Sequence, residues 1–508
     1  MSTPRNTDTA FFGHPAGLST LFFTEMWERF SYYGMRALLI LFMTAPLAAG
    51  GLGFDVAKAG AIYGTYTGMV YLLALPGGWL ADRVLGLRKS VLWGGVLIMC
   101  GHISLAVPRI EGFYFGLVLV VLGTGLLKPN ISALVGTLYA EGDVRRDAGF
   151  SIYYMGINLG AFAAPLVTGW FAQSEGWRST LGRMGLSPES AWHWGFAMAA
   201  VGMAIGLVQY VLGSARLGTA GLYPAIGNDP LVVARERRRA GVGLVVVLGL
   251  VVVVAALTMT GLLTLDAAQV ANALGVALLL TVAGFFAWLF LASTWSPEER
   301  KRLVVILVLF MGASVFWSAF EQAGSTLNLF AERSTDNRFL GIGFPSSWFQ
   351  SANAFFIILL APVAAWIWVR LGKRDPSSPA KFALGLFFLS AGFAVMIGAA
   401  ALARDGATVS PMWLMLTYLL HTMGELCLSP VGLSAMTKLA PARVAGMMMG
   451  VWFLASSVGN WIGGQVATFY EAFSLPSLFG AITLFTGLSA VIMALLIGPI
   501  RRMMAARR

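Results

Sequence analysis

Four ionisable side chains and two tyrosines stand inside one apolar run of this sequence, from about Leu18 to Leu47: Glu25, Glu28, Arg29, Tyr32, Tyr33 and Arg36. The run exceeds the roughly 20 apolar residues that cross a bilayer as a helix. At 100° per residue all six residues share one arc of roughly 140°, while Leu38, Leu39, Leu41 and Phe42 supply lipid-compatible surface. An arginine at the centre of a spanning helix costs on the order of 3 kcal/mol even on lenient insertion scales. The two arginines and two glutamates must therefore face protein or a wet cavity and pair with one another. Such a cluster suits proton handling, because burial and neighbouring cations act in opposite directions on a carboxyl group. The plainer alternative is an ion-pair network that only locks helices together.

Few other ionisable residues lie deep in apolar runs. They are Lys128, in Gly125–Leu126–Leu127–Lys128–Pro129–Asn130; Glu321, in Trp317–Ser318–Ala319–Phe320–Glu321–Gln322; and His421 with Glu425, one turn apart. Cations dominate the first half of the chain and anions the second. A cavity polarised in this way would accept a zwitterion whose charged ends lie several ångströms apart. Arg36 with Glu321 and Lys128 with Glu425 can equally pair as interhelical locks, and a lock that a ligand or proton opens is a gate. Glu25, Glu28, Glu321 and Glu425 are the candidates to load and release protons. The absence of a Gly-x-x-x-x-Gly-Lys-Ser/Thr phosphate loop argues against ATP as the driver and leaves Na⁺ open. Tyr32, Tyr33, Tyr71, Tyr154, Trp317 and Trp452 are candidate walls for a cavity taking varied side chains, with packing and interfacial roles as the alternative. Asn158 and Asn353 can hydrogen-bond a peptide group. His421 reads as bonded to a backbone group more readily than as a proton relay.

The elements that position these residues follow from composition. The chain has 508 residues, of which 58% are hydrophobic and 11% charged, against about 25% charged in soluble proteins. This is a polytopic membrane protein. Cys100 and Cys427 lie in apolar runs and form no disulfide framework or metal spacing. The polar N-terminus, Met1 to Pro15, lacks the basic-then-apolar order of a cleavable signal, so the first helix should direct insertion.

Fourteen helices are expected, near 18–48, 57–81, 90–107, 113–139, 148–173, 191–213, 242–264, 268–293, 303–331, 347–369, 382–403, 411–437, 445–470 and 477–499. They divide the chain into a six-helix bundle (1–213), a linker with two plain extra helices (214–298) and a second six-helix bundle (299–508). Of the 34 Lys and Arg residues, 24 fall on the side of both termini, seven fall on the other side, and Arg29, Arg36 and Lys128 sit within helices. By the positive-inside rule both termini are cytoplasmic, which also accounts for the net charge of +11 without nucleic acid. The plain, lipid-facing composition of the inserted hairpin predicts a peripheral place.

The stretch Gly77–Gly78–Trp79–Leu80–Ala81–Asp82–Arg83–Val84–Leu85–Gly86–Leu87–Arg88–Lys89 resembles the loop signature between helices 2 and 3 of the major facilitator superfamily. Folds of this class bind substrate at the midplane between two six-helix halves. Three further stretches narrow the resemblance. Glu25-x-x-Glu28–Arg29–Phe30-x-Tyr32–Tyr33–Gly34 is similar to the helix 1 signature of the proton-dependent oligopeptide transporters. Phe150–Ser151–Ile152–Tyr153–Tyr154–Met155–Gly156–Ile157–Asn158–Leu159–Gly160 resembles their helix 5 motif, and Gly424–Glu425–Leu426–Cys427–Leu428–Ser429–Pro430–Val431–Gly432–Leu433–Ser434 their helix 10 motif. The inserted hairpin is typical of bacterial members.

This resemblance implies an all-α integral membrane protein with a major facilitator fold of fourteen transmembrane helices. It implies import of di- and tripeptides by symport with protons, with no cofactor and no enzymatic activity. Arg36 and Lys128 match positions holding the peptide carboxylate, and Glu425 the position facing its amino group. Asn158 and Asn353 match backbone-contacting positions; Tyr32, Tyr71, Trp317, Trp452 and Ser429 match side-chain pocket positions. Glu25, Glu28 and Arg29 match the proton-coupling cluster, and Arg36–Glu321 the mobile interhelical pair. One departure stands out: helix 2 carries Tyr63, Tyr66 and Tyr71 but not the functional histidine of animal members. The expected setting is the inner membrane, with both termini cytoplasmic, and the expected functional unit is a monomer. Alternatives are another small solute (nitrate, an organic anion or an amino acid), a non-transporting peptide sensor, and an intramembrane protease, against which the lack of a His-Glu-x-x-His stretch speaks.

Overall fold

The computed structural model describes residues 8–504, apart from 141, 227–229, 261–265, 292–293, 340, 442–443 and 445–446. The end of the helix expected at 242–264, the start of that expected at 445–470, and the loop cations Arg5, Arg443, Arg507 and Arg508 lie outside the described residues. Within them the chain is almost entirely helical. In order, the helices are α1 (Ala16–Thr44), α2 (Val56–Leu72), α3 (Ala74–Leu80), α4 (Leu87–Leu105), α5 (Ile110–Gly136), α6 (Arg146–Gln173), α7 (Glu175–Arg183), α8 (Ala191–Gly213), α9 (Pro230–Met259), α10 (Ala267–Leu291), α11 (Pro297–Phe320), α12 (Thr326–Ser334), α13 (Ser351–Leu371), α14 (Ser378–Leu402), α15 (Met412–Leu439), α16 (Met448–Ala467) and α17 (Leu475–Met504).

Every one of the fourteen expected spans has a helix at its place. Eight of the described helical stretches are long and apolar enough to cross a membrane by length and composition alone. Others, α1 first among them, carry the intramembrane charges that such a test penalises. Prolines within α5, α6, α13, α15 and α17 interrupt no helix. Neighbouring helices in membrane proteins supply the partners for backbone groups that such prolines free.

Two expected helices are each divided. The span at 57–81 breaks at Leu73, four residues before Gly77 and three before Pro76. A proline lacks its N–H and clashes with the carbonyl four residues back, here that of Leu72, where α2 ends. Beyond the break, α3 presses Gly77 against α5 so closely that an added Cβ would lie 2.1 Å from the Gly125 carbonyl. The span at 303–331 is likewise not continuous. A tight turn, Glu321–Gly324, separates α11 from α12. The Gln322 side chain accounts for it: its Oε1 accepts from Ser325 and Thr326, and its Nε2 donates to the Gly463 carbonyl at 2.9 Å.

Contacts group the chain into two compact units, each drawing on several segments. The first comprises 1–32, 73–160 and 197–273, and the second 33–72, 161–196 and 274–508. The first unit's core joins α1, α4, α5 and α8 through Leu18, Leu21, Ile98, Leu127, Ile131 and Met203. In the second, α2 and α16 meet at Gly64 and Gly464, where each Cβ position falls within 2.5 Å of the other glycine's Cα. There α10 of the inserted hairpin also packs, Gly275 against the Trp461 indole and Phe286 edge-on to Phe310 at 4.9 Å.

Candidate functional site

The first unit holds the acid-rich cluster. Glu25, Glu28 and Arg29 are adjacent on the helical surface of α1 and are buried to 3% exposure or less. Arg29 Nε lies 3.1 Å from Glu25 Oε1 and in closer contact with Glu28 Oε2. The guanidinium also sits 5.2 Å from the centre of the Tyr32 ring, which is itself buried. Glu28 Oε1 is buried without a hydrogen-bond partner among the described residues. Lys128, half-buried on α5, acts on Glu28 electrostatically. The spacing i, i+3, i+4 explains the geometry: one arginine reaches the carboxylate of the previous turn and its own neighbour together.

Also in the first unit, α6 carries Tyr154 and Asn158. The Asn158 amide donates to the Tyr154 carbonyl of its own helix at 3.0 Å, and Asn158 is only 5% exposed. The Tyr154 side chain is 42% exposed.

The second unit holds a matched ion pair. Arg36 Nη2 lies 2.8 Å from Glu321 Oε2, both side chains being under a tenth exposed. The pair expected from the sequence is formed. Arg36 Nε donates to the Tyr63 hydroxyl of α2 at 2.9 Å, and the guanidinium lies 5.6 Å from the centre of the Tyr33 ring. Gly324 closes the arrangement: a Cβ there would come within 1.8 Å of the Tyr63 hydroxyl and 3.0 Å of Arg36 Nε. The turn that divides α11 from α12 therefore delivers Glu321 to Arg36 and passes its backbone through a gap that only glycine fits. Nearby, Asn328 Nδ2 donates to the Ala37 carbonyl at 2.8 Å.

Glu425 lies on α15 opposite Asn353 of α13. Asn353 Nδ2 donates to Glu425 Oε2 at 2.9 Å and to Thr422 Oγ1 at 3.0 Å. Arg36 and Glu321 both act on Glu425 electrostatically. The pairing expected for Glu425 with Lys128 joins residues of the two units; within the second unit Glu425 is held by Asn353. Trp317 stands edge-on to Phe316 and Phe320 at 5.4 Å, with Gly459 against its Cβ. Trp452 is buried over Gly432, Tyr71 lies 6.4 Å from Phe453 between ring centres, and Ser429 is half-buried. His421 is buried between Phe393, at 4.8 Å, and Phe320, and it turns its ring to Gly392 of α14.

Sequence reasoning assigned no role to Tyr63, Gln322 or Gly324. The available signal was thin: a hydroxyl on α2 at the register of Arg36, and two small or polar residues directly after an intramembrane glutamate.

Comparison with known proteins identifies the family. The profile of the POT family matches residues 88–484. The peptide transporter YePEPT of Yersinia enterocolitica is 44% identical, over 99% of this chain and 98% of its own. The di-/tripeptide transporter of Lactococcus lactis subsp. cremoris is 37% identical, over 99% of both. The crystal structure of a variant of the peptide transporter POT in complex with alafosfalin superposes with a TM-score of 0.87 at 41% identity, covering 97% of this chain and 96% of that one. The helical chain thus has a major facilitator-type fold, and the protein is a member of the POT family of multi-pass membrane transporters.

Proposed function

We propose that this protein imports di- and tripeptides together with protons by alternating access. The observation that carries the reading is the buried cluster of ionisable groups on α1. Two carboxylates contact one guanidinium at Glu25–Glu28–Arg29, with Lys128 acting on Glu28, whereas Arg36 pairs with Glu321 and both act on Glu425. Buried charge is costly unless paired, so a carboxyl of the first group can take up a proton as its cationic partners move. The peptide transport named for the Yersinia and Lactococcus relatives supports the substrate class.

In this reading the peptide carboxylate is taken by Arg36 and Lys128, and its amino group by Glu425. Asn353 orients Glu425, and Asn158 meets the peptide backbone once its amide leaves the Tyr154 carbonyl. Tyr32, Tyr33, Tyr71, Tyr154, Trp317, Trp452 and Ser429 wall the side-chain pocket. Removing one partner of a buried ion pair costs about 3–5 kcal/mol, so Arg36 leaves Glu321 only when a carboxylate replaces it or a proton neutralises Glu321. Lys128 and Glu425 form the second such pair in another access state, when the six-helix bundles of residues 1–213 and 299–508 rock against each other. The protein acts as a monomer in the inner membrane with both termini cytoplasmic. It uses protons as the coupling ion, without a cofactor, and catalyses no covalent step.

Uptake of labelled dialanine into proteoliposomes tests this. Accumulation that requires an inward proton gradient and collapses with a protonophore is the expected result. Flux indifferent to protons would move the assignment to exchange or another solute, and binding without flux would indicate a sensor.

A further inference from the structure

The lipid-facing side of α8 is not smooth. A cavity of about 520 Å³ runs along it, walled by Val201, Ile205, Val208 and Leu212 and ending at Gln209 and Arg216. That volume falls within the usual range for small-molecule sites, about 300–1,000 Å³. The hollow arises where α1 meets α8. Gly206 and Gly213 admit α1 so closely that a Cβ would stand 2.8 Å from Trp27 Cβ and 2.5 Å from Thr20 Oγ1. Gln209 does not spoil the apolar wall, because its Oε1 accepts from Thr24 Oγ1 at 3.0 Å. The apolar stretch from Val201 to Leu212 rises about 16 Å at 1.5 Å per residue. This equals one leaflet, half of a hydrocarbon core about 30 Å thick.

We propose that this groove binds one acyl chain of an anionic phospholipid whose phosphate rests on Arg216. Arg216 is exposed, and among the described residues its side chain makes one hydrogen bond, Nη1 donating to Ser19 Oγ at 3.3 Å. A guanidinium has five N–H donors, so most of its capacity remains for a phosphate. The residue follows the last turn of α8 on the side of both termini, where basic groups at the membrane surface attract anionic lipids. A zwitterionic lipid would bring its own cation to the same place and lose that advantage. The groove therefore selects by charge at one end and by length along its wall.

The test is native mass spectrometry of the full-length protein released from nanodiscs holding equal phosphatidylglycerol and phosphatidylcholine with identical acyl chains. Wild-type protein should retain phosphatidylglycerol about fivefold over phosphatidylcholine, the preference expected of one basic residue at the surface. Arg216→Gln should lose the preference and Arg216→Lys should keep most of it. Val208→Trp, which fills the groove, should lose retention of both lipids. An Arg216→Gln variant with undiminished preference, or a Val208→Trp variant still holding phosphatidylglycerol, would overturn the proposal. So would displacement of the lipid by millimolar inorganic phosphate, which would make Arg216 a simple anion site.

Discussion

Two turns of α1 carry two different electrostatic devices. At Glu25–Glu28–Arg29 three ionisable groups share one buried patch, Lys128 acts on Glu28, and one carboxylate oxygen of Glu28 has no hydrogen-bond partner among the described residues. At Arg36 the guanidinium meets a single carboxylate, from Glu321, and spends Nε on the neutral Tyr63 hydroxyl. In the proposed reading the first group takes up and releases the coupled proton. The second is a one-to-one ion pair, which in that reading a proton or a substrate carboxylate opens. The difference lies in the partners each arginine meets, not in residue type.

The comparison can be broken from either side. The largest effect should come from Glu28→Gln, which removes a titratable carboxyl permanently. Gradient-driven peptide accumulation should fall to background, while counterflow between peptide-loaded vesicles persists. Accumulation equal to wild type would refute the role of Glu28. The next concerns stability. Arg36→Met should destabilise the protein by about 3–5 kcal/mol because Glu321 is left buried and unpaired. Arg36→Met with Glu321→Met should recover most of that loss in detergent thermal melts without recovering transport. If the double variant melts as low as the single one, the pair does not act as a unit. Arg36→Met should also weaken binding of free dialanine more than of its C-terminal amide, and equal losses would remove the carboxylate assignment.

A finer probe is Tyr63→Phe. It deletes one hydrogen bond to a charged group, worth about 1.5–3 kcal/mol. Arg36 would be held less firmly, so exchange should be altered while the protein remains folded; unaltered exchange kinetics would make Tyr63 a packing residue only.

The smallest expected effect lies outside the membrane spans. The Asp143 carboxyl is held below the ordinary carboxylate range by hydrogen bonds from the Arg145 side chain and backbone, and Asp8 by the backbone N–H groups of Ala16 and Ala10. Arg145 Nη1 also donates to the carbonyls of Asp8 and Gly13. Both shifts are downward, so this anchorage of residues 8–16 is complete above the ordinary carboxylate pKa near 4 and is lost as pH falls through the lowered values. Protection factors of the amides in residues 8–16 should therefore be unchanged from pH 8 to 5 and fall only under more acidic conditions. A loss of protection between pH 7 and 5 would show that the two aspartates do not control this anchorage.

What the sequence revealed follows from which interactions are local. Apolar runs long enough to span a bilayer mark their helices whatever the tertiary context, so all fourteen could be placed. The Arg36–Glu321 pair was legible because intramembrane charges are few and must find partners. The turn at Glu321–Gly324 was not, because it depends on Gln322 reaching Gly463 and on Gly324 passing Tyr63, contacts made across hundreds of residues. Nor was the local bond that occupies the Asn158 amide, since a side chain choosing its own helix leaves no mark on composition. The short α7 was missed because it is polar; it begins with Ser174 accepting from the Trp177 backbone at 3.1 Å, a cap that periodicity alone does not reveal.

The central claim is that the acid-rich cluster couples transport to protons while the Arg36–Glu321 pair gates it. Its most direct measurement is labelled dialanine movement in matched proteoliposomes of wild type, Glu28→Gln and Glu321→Gln, by gradient-driven accumulation and by counterflow. The account predicts that Glu28→Gln loses accumulation but keeps counterflow, whereas Glu321→Gln, lacking the charge that returns Arg36 to its latch, is impaired in both. Accumulation by Glu28→Gln, or identical behaviour of the two variants in both assays, would contradict it.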